Sequence, residues 1–228
     1  MLRAIIFDCD GIIADNEPLH LRCFQKVLGE EGIPLTEKEY YDIYLGMDDK
    51  GCFSAVLKAH GRPATPARIS ELIDRKARYY EETIKQELIL FPGVASLVKE
   101  ASRRYVLAVS SGALRHEIEL ILKAAGIRDA FKVIVSAEDV SVGKPDPQGF
   151  QKALARINDL FPRPDPPISP QESLVIEDSI AGVQAAKAAG MRCLAVTNSY
   201  PRETLKQADL TVNSLEGLSL ETLEKLFR

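Results

Sequence analysis

Apolar runs of strand length recur along the chain, and polar residues close each one. They are Ala4-Ile5-Ile6-Phe7, Val106-Leu107-Ala108-Val109, Lys132-Val133-Ile134-Val135 and Ser173-Leu174-Val175-Ile176. The first, within residues 2–8, is almost wholly apolar, the mark of a strand covered on both faces. Elsewhere the period lengthens. Apolar positions at helical spacing predict helices over 94–102, 113–125, 146–156 and 179–189, alternating with strands over 104–109, 132–136, 173–177 and 192–196. Gly126 and Gly190 stop two of these helices. Such alternation builds a parallel sheet with right-handed crossovers. The predicted fold class is therefore α/β, with a doubly wound parallel-sheet core.

One stretch breaks the alternation. From Glu17 to about Gln86 strand-like runs vanish, and Leu19, Phe24, Val27 and Leu28 recur at helical spacing, as do Ile69, Leu72, Ile73 and the segment Lys76 to Tyr80. Gly32-Ile33-Pro34, Leu45-Gly46 and Gly61-Arg62-Pro63 punctuate it. This reads as a small α-helical domain inserted after the first strand. The predicted division is 1–14 and 90–228 for the core and 15–89 for the insert, with 12–16 and 87–92 as linkers that act as a hinge if the insert moves as a lid. Further on, Phe161 to Pro170 carries five prolines in ten residues. No helix or central strand tolerates that, so an exposed, semi-rigid loop is expected.

Candidate chemistry lies at the strand ends. The carboxyl ends of parallel strands share one edge, and ligands bind in the crevice there. Asp8-Cys9-Asp10-Gly11, Ser110-Ser111, Lys144-Pro145 and Glu177-Asp178 are thus predicted to meet. Carboxylates, a hydroxyl and one lysine together suit a hard divalent cation and a phosphoryl group. Asp8 and Asp10 share a face if the strand stays extended, and Gly11 lets the backbone turn directly afterwards. A carboxylate at Asp8 is able to attack phosphorus, while Asp10 protonates the leaving oxygen and then deprotonates water. The same Asp-x-Asp-Gly string matches a fragment of a calcium loop, but the ligand spacing of such a loop does not continue. Asp178 or Ser179 is a candidate N-cap for the next helix, a role compatible with magnesium binding by Glu177 and Asp178. Ser110 is placed to hydrogen-bond a phosphoryl oxygen, with Ser111 and Gly112 adding backbone amides at the start of a helix. Pro145 and Pro147 stiffen the loop that carries Lys144 and aim its cation inward. Cys9, between the aspartates, is turned away from them by strand alternation.

Bulk composition narrows the field. The chain has 228 residues, 46% apolar and 27% charged, enough for a large core and a small second domain. The net charge is −4 and no basic tract is present, which argues against nucleic acid or an anionic membrane as partner. The longest apolar runs have strand length, so no transmembrane helix is expected. A strand directly after Met1-Leu2-Arg3 leaves no room for a signal peptide. The four cysteines, Cys9, Cys23, Cys52 and Cys193, have no paired spacing and read as reduced thiols, so a cytoplasmic protein is expected. His20, His60 and His116 do not form a metal-spaced cluster. Nothing demands more than a monomer.

In their order and placement these motifs resemble those of the haloacid dehalogenase-like phosphohydrolase superfamily, over nearly the whole chain. Asp8-Cys9-Asp10-Gly11 is similar to its first motif, Ser110 to its second, Lys144 to its third and Glu177-Asp178 to its fourth. The insert is similar to the α-helical cap of the subfamily with β-phosphoglucomutase and phosphoglycolate phosphatase. Three strings are similar to the β-phosphoglucomutase-like branch: Asn16-Glu17-Pro18-Leu19-His20, Gly143-Lys144-Pro145-Asp146-Pro147, and Glu177-Asp178-Ser179 with Gly182, Ala185-Ala186 and Ala189-Gly190-Met191. The resemblance implies Mg2+ as cofactor, Asp8 as nucleophile and metal ligand, and Asp10 as acid/base that gives its backbone carbonyl to the metal. It implies Asp178 as the third protein ligand, Glu177 on or near the metal, and Ser110 and Lys144 as holders of the phosphoryl group. It also implies that His20 and Lys76 of the insert face the active site.

Two departures bear on the substrate. β-Phosphoglucomutase has an arginine three residues past the glycine matching Gly46, where it grips a distal phosphate. This chain has Asp49 there, with Lys50 beside it. The mutase also has Lys-Asn shortly after the second-motif serine, where this chain has Ala113-Leu114. Arg115 and Lys50 are the substitutes at hand. Dehalogenases lack the second aspartate of the first motif, so Asp10 argues against dehalogenation, and it likewise disfavours phosphonate cleavage. The expected function is magnesium-dependent hydrolysis of a small phosphorylated metabolite, a sugar phosphate by class, through an aspartyl-phosphate. The alternatives are a phosphosugar mutase, in which a sugar hydroxyl replaces water, and a non-catalytic metabolite-binding protein.

Overall fold

The computed structural model describes residues 1–84 and 87–228. The chain forms two units, Met1–Asp15 joined to Leu90–Arg228, and Asn16–Ile89. Strand β1 (Ala4–Phe7) opens the first unit and is buried throughout. The second unit follows. Its helix α1 (Glu17–Glu30) carries Pro18 in the first turn, where a missing N–H costs nothing. A capping box between Thr36 and Glu39 starts the short α2 (Glu37–Glu39), which runs into a π-helical turn over Tyr40–Tyr44. Helix α3 (Asp49–Ala59) is capped by the Asp48 carboxylate, which accepts from Gly51 N–H at 2.6 Å. Helix α4 (Pro66–Glu87) combines a Thr65 cap with Pro66 at its first position. Leu21, Phe24, Val27 and Leu28 of α1 pack with Phe53 and Val56 of α3 and with Ile69 and Leu72 of α4. Each such fully buried side chain stabilises the unit by about 2–3 kcal/mol.

The first unit then resumes with α5 (Val94–Ala101), β2 (Val106–Ser110), α6 (Arg115–Ala124), β3 (Phe131–Val135), α7 (Gln148–Asn158), β4 (Ser173–Glu177), α8 (Ile180–Ala188), β5 (Arg192–Val196), β6 (Leu210–Val212) and α9 (Leu220–Lys225). The six strands make one parallel sheet in the order β3-β2-β1-β4-β5-β6. The order reverses at β1, so the crevice beside β1 at the carboxyl edge is the switch point at which such sheets bind ligands. The two passages of chain between the units are adjacent: Ala14 forms an antiparallel bridge with Leu90, and Phe91 N–H donates to Ile13 O at 3.2 Å.

Alternation sorts the sheet's side chains. Ala4 and Ile6 of β1, Ala108 of β2, Val133 and Val135 of β3, Val175 of β4 and Cys193 and Ala195 of β5 share one core. Phe150, Ala153, Leu154 and Ile157 of α7 and Val183, Ala185 and Ala186 of α8 cover them. Registered neighbours in a parallel sheet point to the same face.

Strand β6 and helix α9 are absent from the sequence prediction. A three-residue, half-buried strand is too short to show a period. Helix α6 begins at Arg115 rather than 113, because Leu114 N–H is taken by the Glu117 carboxylate at 2.9 Å. The proline-rich loop is anchored at one end. Asn158 bonds both the C=O and the N–H of Ile168, at 2.9 and 2.8 Å, while Phe161 stands fully exposed. No helix among the described residues is long and apolar enough to cross a membrane.

Candidate active site

The sheet register builds the site. Phe7 pairs with Val109 on one side and with Ile176 on the other. One residue further on, Asp8, Ser110 and Glu177 therefore stand level, on the face that α7 and α8 cover. All three are buried. The two helices reach this row because glycine sits at each closest approach. A methyl on Gly149 would lie 2.8 Å from Ser110 Oγ, and one on Gly182 would lie 1.7 Å from Glu177 Oε1. Real side chains do not sit that close, so the small residues are a condition of the geometry.

Lys144, on the loop before α7, closes the row. Its Nζ lies 2.7 Å from Asp8 Oδ2 and 2.5 Å from Glu177 Oε1. Burial opposes its charge, but the Asp8 and Glu177 carboxylates outweigh burial and hold it well above the usual lysine range. The two acids differ. Glu177 Oε2 accepts from Asp178 N–H at 2.8 Å, Ser179 N–H at 2.7 Å and Ser179 Oγ at 2.9 Å. Burial pushes its pKa up, yet Lys144 and these donors bring it below the ordinary value. Asp8 has the Cys9 N–H at 2.8 Å and Lys144. Burial dominates there and, despite Lys144, pushes its pKa up to about 7. The Cys9 thiol is fully buried, and burial raises its pKa too, which fits a packed side chain rather than a nucleophile.

Strand β1 does not stay extended past Asp8. Ile13 N–H and Ala14 N–H both return to Cys9 O, and Gly11 has φ +77°. That positive φ and a close approach require glycine, since a methyl there would lie 2.0 Å from Asp178 Oδ2. Of the two candidate caps of α8, Ser179 is the one used, accepting from Gly182 N–H at 3.0 Å. Asp178 is thereby left out of the cap. Asp8, Glu177 and Asp178 each offer a carboxylate oxygen, and these oxygens lie within 4.8 Å of one another, all buried. Three buried carboxylates gather beside the Lys144 ammonium, and a hard divalent cation with oxygen ligands fits that donor set. Such an ion would also reverse the upward push on Asp8.

Other predicted contributors stand differently. The Ser111 N–H donates to Val135 O at 3.0 Å and its Oγ accepts from Ala113 N–H at 3.2 Å. Its amide therefore extends the sheet, which corrects the expected anion site at Ser111, and the helix begins beyond Gly112. Arg115 is bound to Asp139 at 2.5 Å and to Ile134 O at 3.1 Å. In the insert, His20 and Lys76 are buried and lie together, Lys76 Nζ donating to His20 Nδ1 at 2.7 Å. Asp49 Oδ1 lies 2.5 Å from the same Nζ, and Lys50 is exposed. Two polar residues missed by sequence reading also reach the site, Asn198 and Ser199 after β5. The Asn198 amide donates to Gly11 O at 2.6 Å and Ser199 Oγ donates to Asp178 Oδ2. The signal was available: they too follow an apolar run, Cys193 to Val196.

A doubly wound sheet whose switch point gathers buried carboxylates, a lysine and a serine defines an α/β enzyme with an acidic site at that point. The sequence pattern of the haloacid dehalogenase-like hydrolases matches residues 5–196, and the chain belongs to that family. It is 29% identical to Protein CbbY of Cereibacter sphaeroides over 226 residues, covering 96% of this chain and 94% of that one. It is 27% identical to the validoxylamine A 7'-phosphate phosphatase of Streptomyces hygroscopicus subsp. limoneus over 228 residues, 94% of this chain and 95% of the other. The crystal structure of β-phosphoglucomutase from Clostridium difficile superposes with a TM-score of 0.86 at 26% identity, covering 100% of this chain and 97% of that one.

Proposed function

We propose that the chain is a magnesium-dependent phosphomonoester hydrolase for a small phosphorylated metabolite, a sugar phosphate by class. The observation that carries this reading is the position of Lys144, whose ammonium bridges Asp8 and Glu177 beside the carboxylate of Asp178. Asp8 Oδ attacks phosphorus, a P–O bond to Asp8 forms and the ester P–O bond breaks. Asp10 gives its proton to the departing alkoxide oxygen, then takes one from the water that attacks the aspartyl-phosphate, releasing phosphate and free Asp8. Lys144 and Ser110 bind and orient the phosphoryl oxygens, and Glu177, bonded to three donors on Oε2, holds Lys144 in place. Asp8, Asp178 and the Asp10 carbonyl would hold magnesium, which would supply charge neutralisation for the phosphoryl group. The phosphatase among the relatives supports this reading.

A mutase must also grip a second phosphate. Asp49, at the place of the mutase arginine, is paired with Lys76, and of the two candidate substitutes Arg115 is paired with Asp139, which leaves the exposed Lys50. That weighs toward water as acceptor. The test is phosphate release from β-glucose 1-phosphate, glucose 6-phosphate and phosphoglycolate, with and without magnesium. Asp8→Asn should lower release by about a million-fold, the scale on which loss of a nucleophile acts. A wild type that releases no phosphate, yet isomerises β-glucose 1-phosphate with a bisphosphate activator, would overturn hydrolysis in favour of the mutase.

A further inference from the structure

We infer that Asn198 and Ser199 are positioning residues for the divalent metal, a reading that rests on the metal site proposed above. The segment Thr197–Ser199 leaves β5 at the same carboxyl edge as Asp8 and Glu177, and its root is pinned by Thr197 N–H donating to Val212 O at 3.0 Å. From there two side chains reach two different parts of the acidic cluster. The Asn198 amide binds Gly11 O at 2.6 Å, on the turn that carries Asp10. The Ser199 hydroxyl binds Asp178 Oδ2.

Those two targets press against one another. Gly11 approaches Asp178 so closely that a methyl on it would lie 2.0 Å from Oδ2 and 2.8 Å from Oδ1. The last torsion of a carboxylate is broad and roughly two-fold, and a bonded hydroxyl stops its rotation. Ser199 supplies the stop, because its hydroxyl occupies a lone pair of Oδ2. Asn198 fixes the other wall by holding the Gly11 carbonyl. The segment thus clamps the Asp10 turn to the Asp178 carboxylate, and the two metal-facing groups keep their spacing. Outer partners of this kind orient the ligands they touch, and their loss typically costs 10- to 100-fold in metal affinity.

The experiment is Mn2+ binding to the whole protein, followed by the electron paramagnetic resonance of free Mn2+, for wild type, Ser199→Ala, Ser199→Thr and Asn198→Ala. Thermal melting of each without metal is measured alongside. Ser199→Ala and Asn198→Ala should each raise the Mn2+ dissociation constant by about 10-fold. Ser199→Thr, which keeps the hydroxyl, should restore wild-type affinity, and metal-free melting should stay near that of wild type. Equal or tighter Mn2+ binding by Ser199→Ala overturns the inference and leaves the metal site standing. Weak binding in Ser199→Thr as well as Ser199→Ala also overturns it, since bulk rather than the hydroxyl would then matter. A wild type that binds no Mn2+ overturns the metal site and this inference together.

Discussion

Each unit sets a lysine against carboxylates, Lys76 fully buried and Lys144 partly buried, and the two meet different surroundings. Lys76, in the insert, is fully buried and meets the Asp49 carboxylate and the His20 ring. Its ammonium also lies 4.5 Å from the ring centre of Phe24, a favourable cation–π position. Lys144 meets two carboxylates, with a third within reach of both. That crowding of acids costs folding energy, because buried like charges repel, and the structure keeps it at the sheet edge where a ligand can relieve it. Breaking the first contact should cost stability, whereas the second is placed where a ligand can meet it.

The sharpest break in this comparison is Lys76→Met, which keeps the side-chain length and strands Asp49. Removal of one member of a buried pair should lower unfolding free energy by about 3–5 kcal/mol, read by urea titration. Adding Asp49→Asn should recover part of the loss, whereas an unchanged titration for the single variant would show that the pair is not buried in effect. Lys144→Met should behave the other way. Phosphate release should fall by about 100- to 1,000-fold, as for the loss of one preorganised charge donor. Gly182→Ala, whose methyl would meet the Glu177 oxygen that holds Lys144, should cost about 1–3 kcal/mol by overpacking and should lower turnover through the displaced Lys144. A variant with wild-type stability and turnover would mean that α8 shifts freely.

The smallest effect is a control. Hydrogen bonding to Arg156 holds the Asp139 carboxyl well below the usual range, with Ser136 and Arg115 adding to it against burial. Asp139→Asn should cost about 2 kcal/mol at neutral pH. A depressed carboxyl contributes stability above its unfolded value near 3.9 and loses it as pH falls toward the folded value. The difference between wild type and variant should therefore be full at pH 7 and shrink below about pH 4. A difference independent of pH would assign it to shape instead of charge.

Much of this was legible in the sequence for reasons that remain visible. Strand 192–196 matches Arg192–Val196 and strand 173–177 matches Ser173–Glu177, because apolar runs bounded by polar residues mark buried parallel strands clearly. The edge residues followed from the rule that parallel strands end together. Lys76 was singled out by the resemblance and not by its place in the helical pattern, and it is fully buried beside His20. What stayed hidden depends on contacts between distant segments. Gly149 and Gly182 look like ordinary helix residues until Ser110 and Glu177 are brought against them. The amide of Ser111 looked available until β3 claimed it.

The paired crossing of Ala14 with Leu90 has a consequence for engineering. A long inserted segment whose ends meet in one bridge acts on its host like a short surface loop. The entropy of closing such a loop grows only with the logarithm of its length, so the host feels the spacing of the two ends far more than what lies between them. Residues 16–89 are thus a natural cassette. Another helical module with ends equally close, grafted between Asp15 and Leu90, would leave the sheet register and the row of Asp8, Ser110 and Glu177 intact.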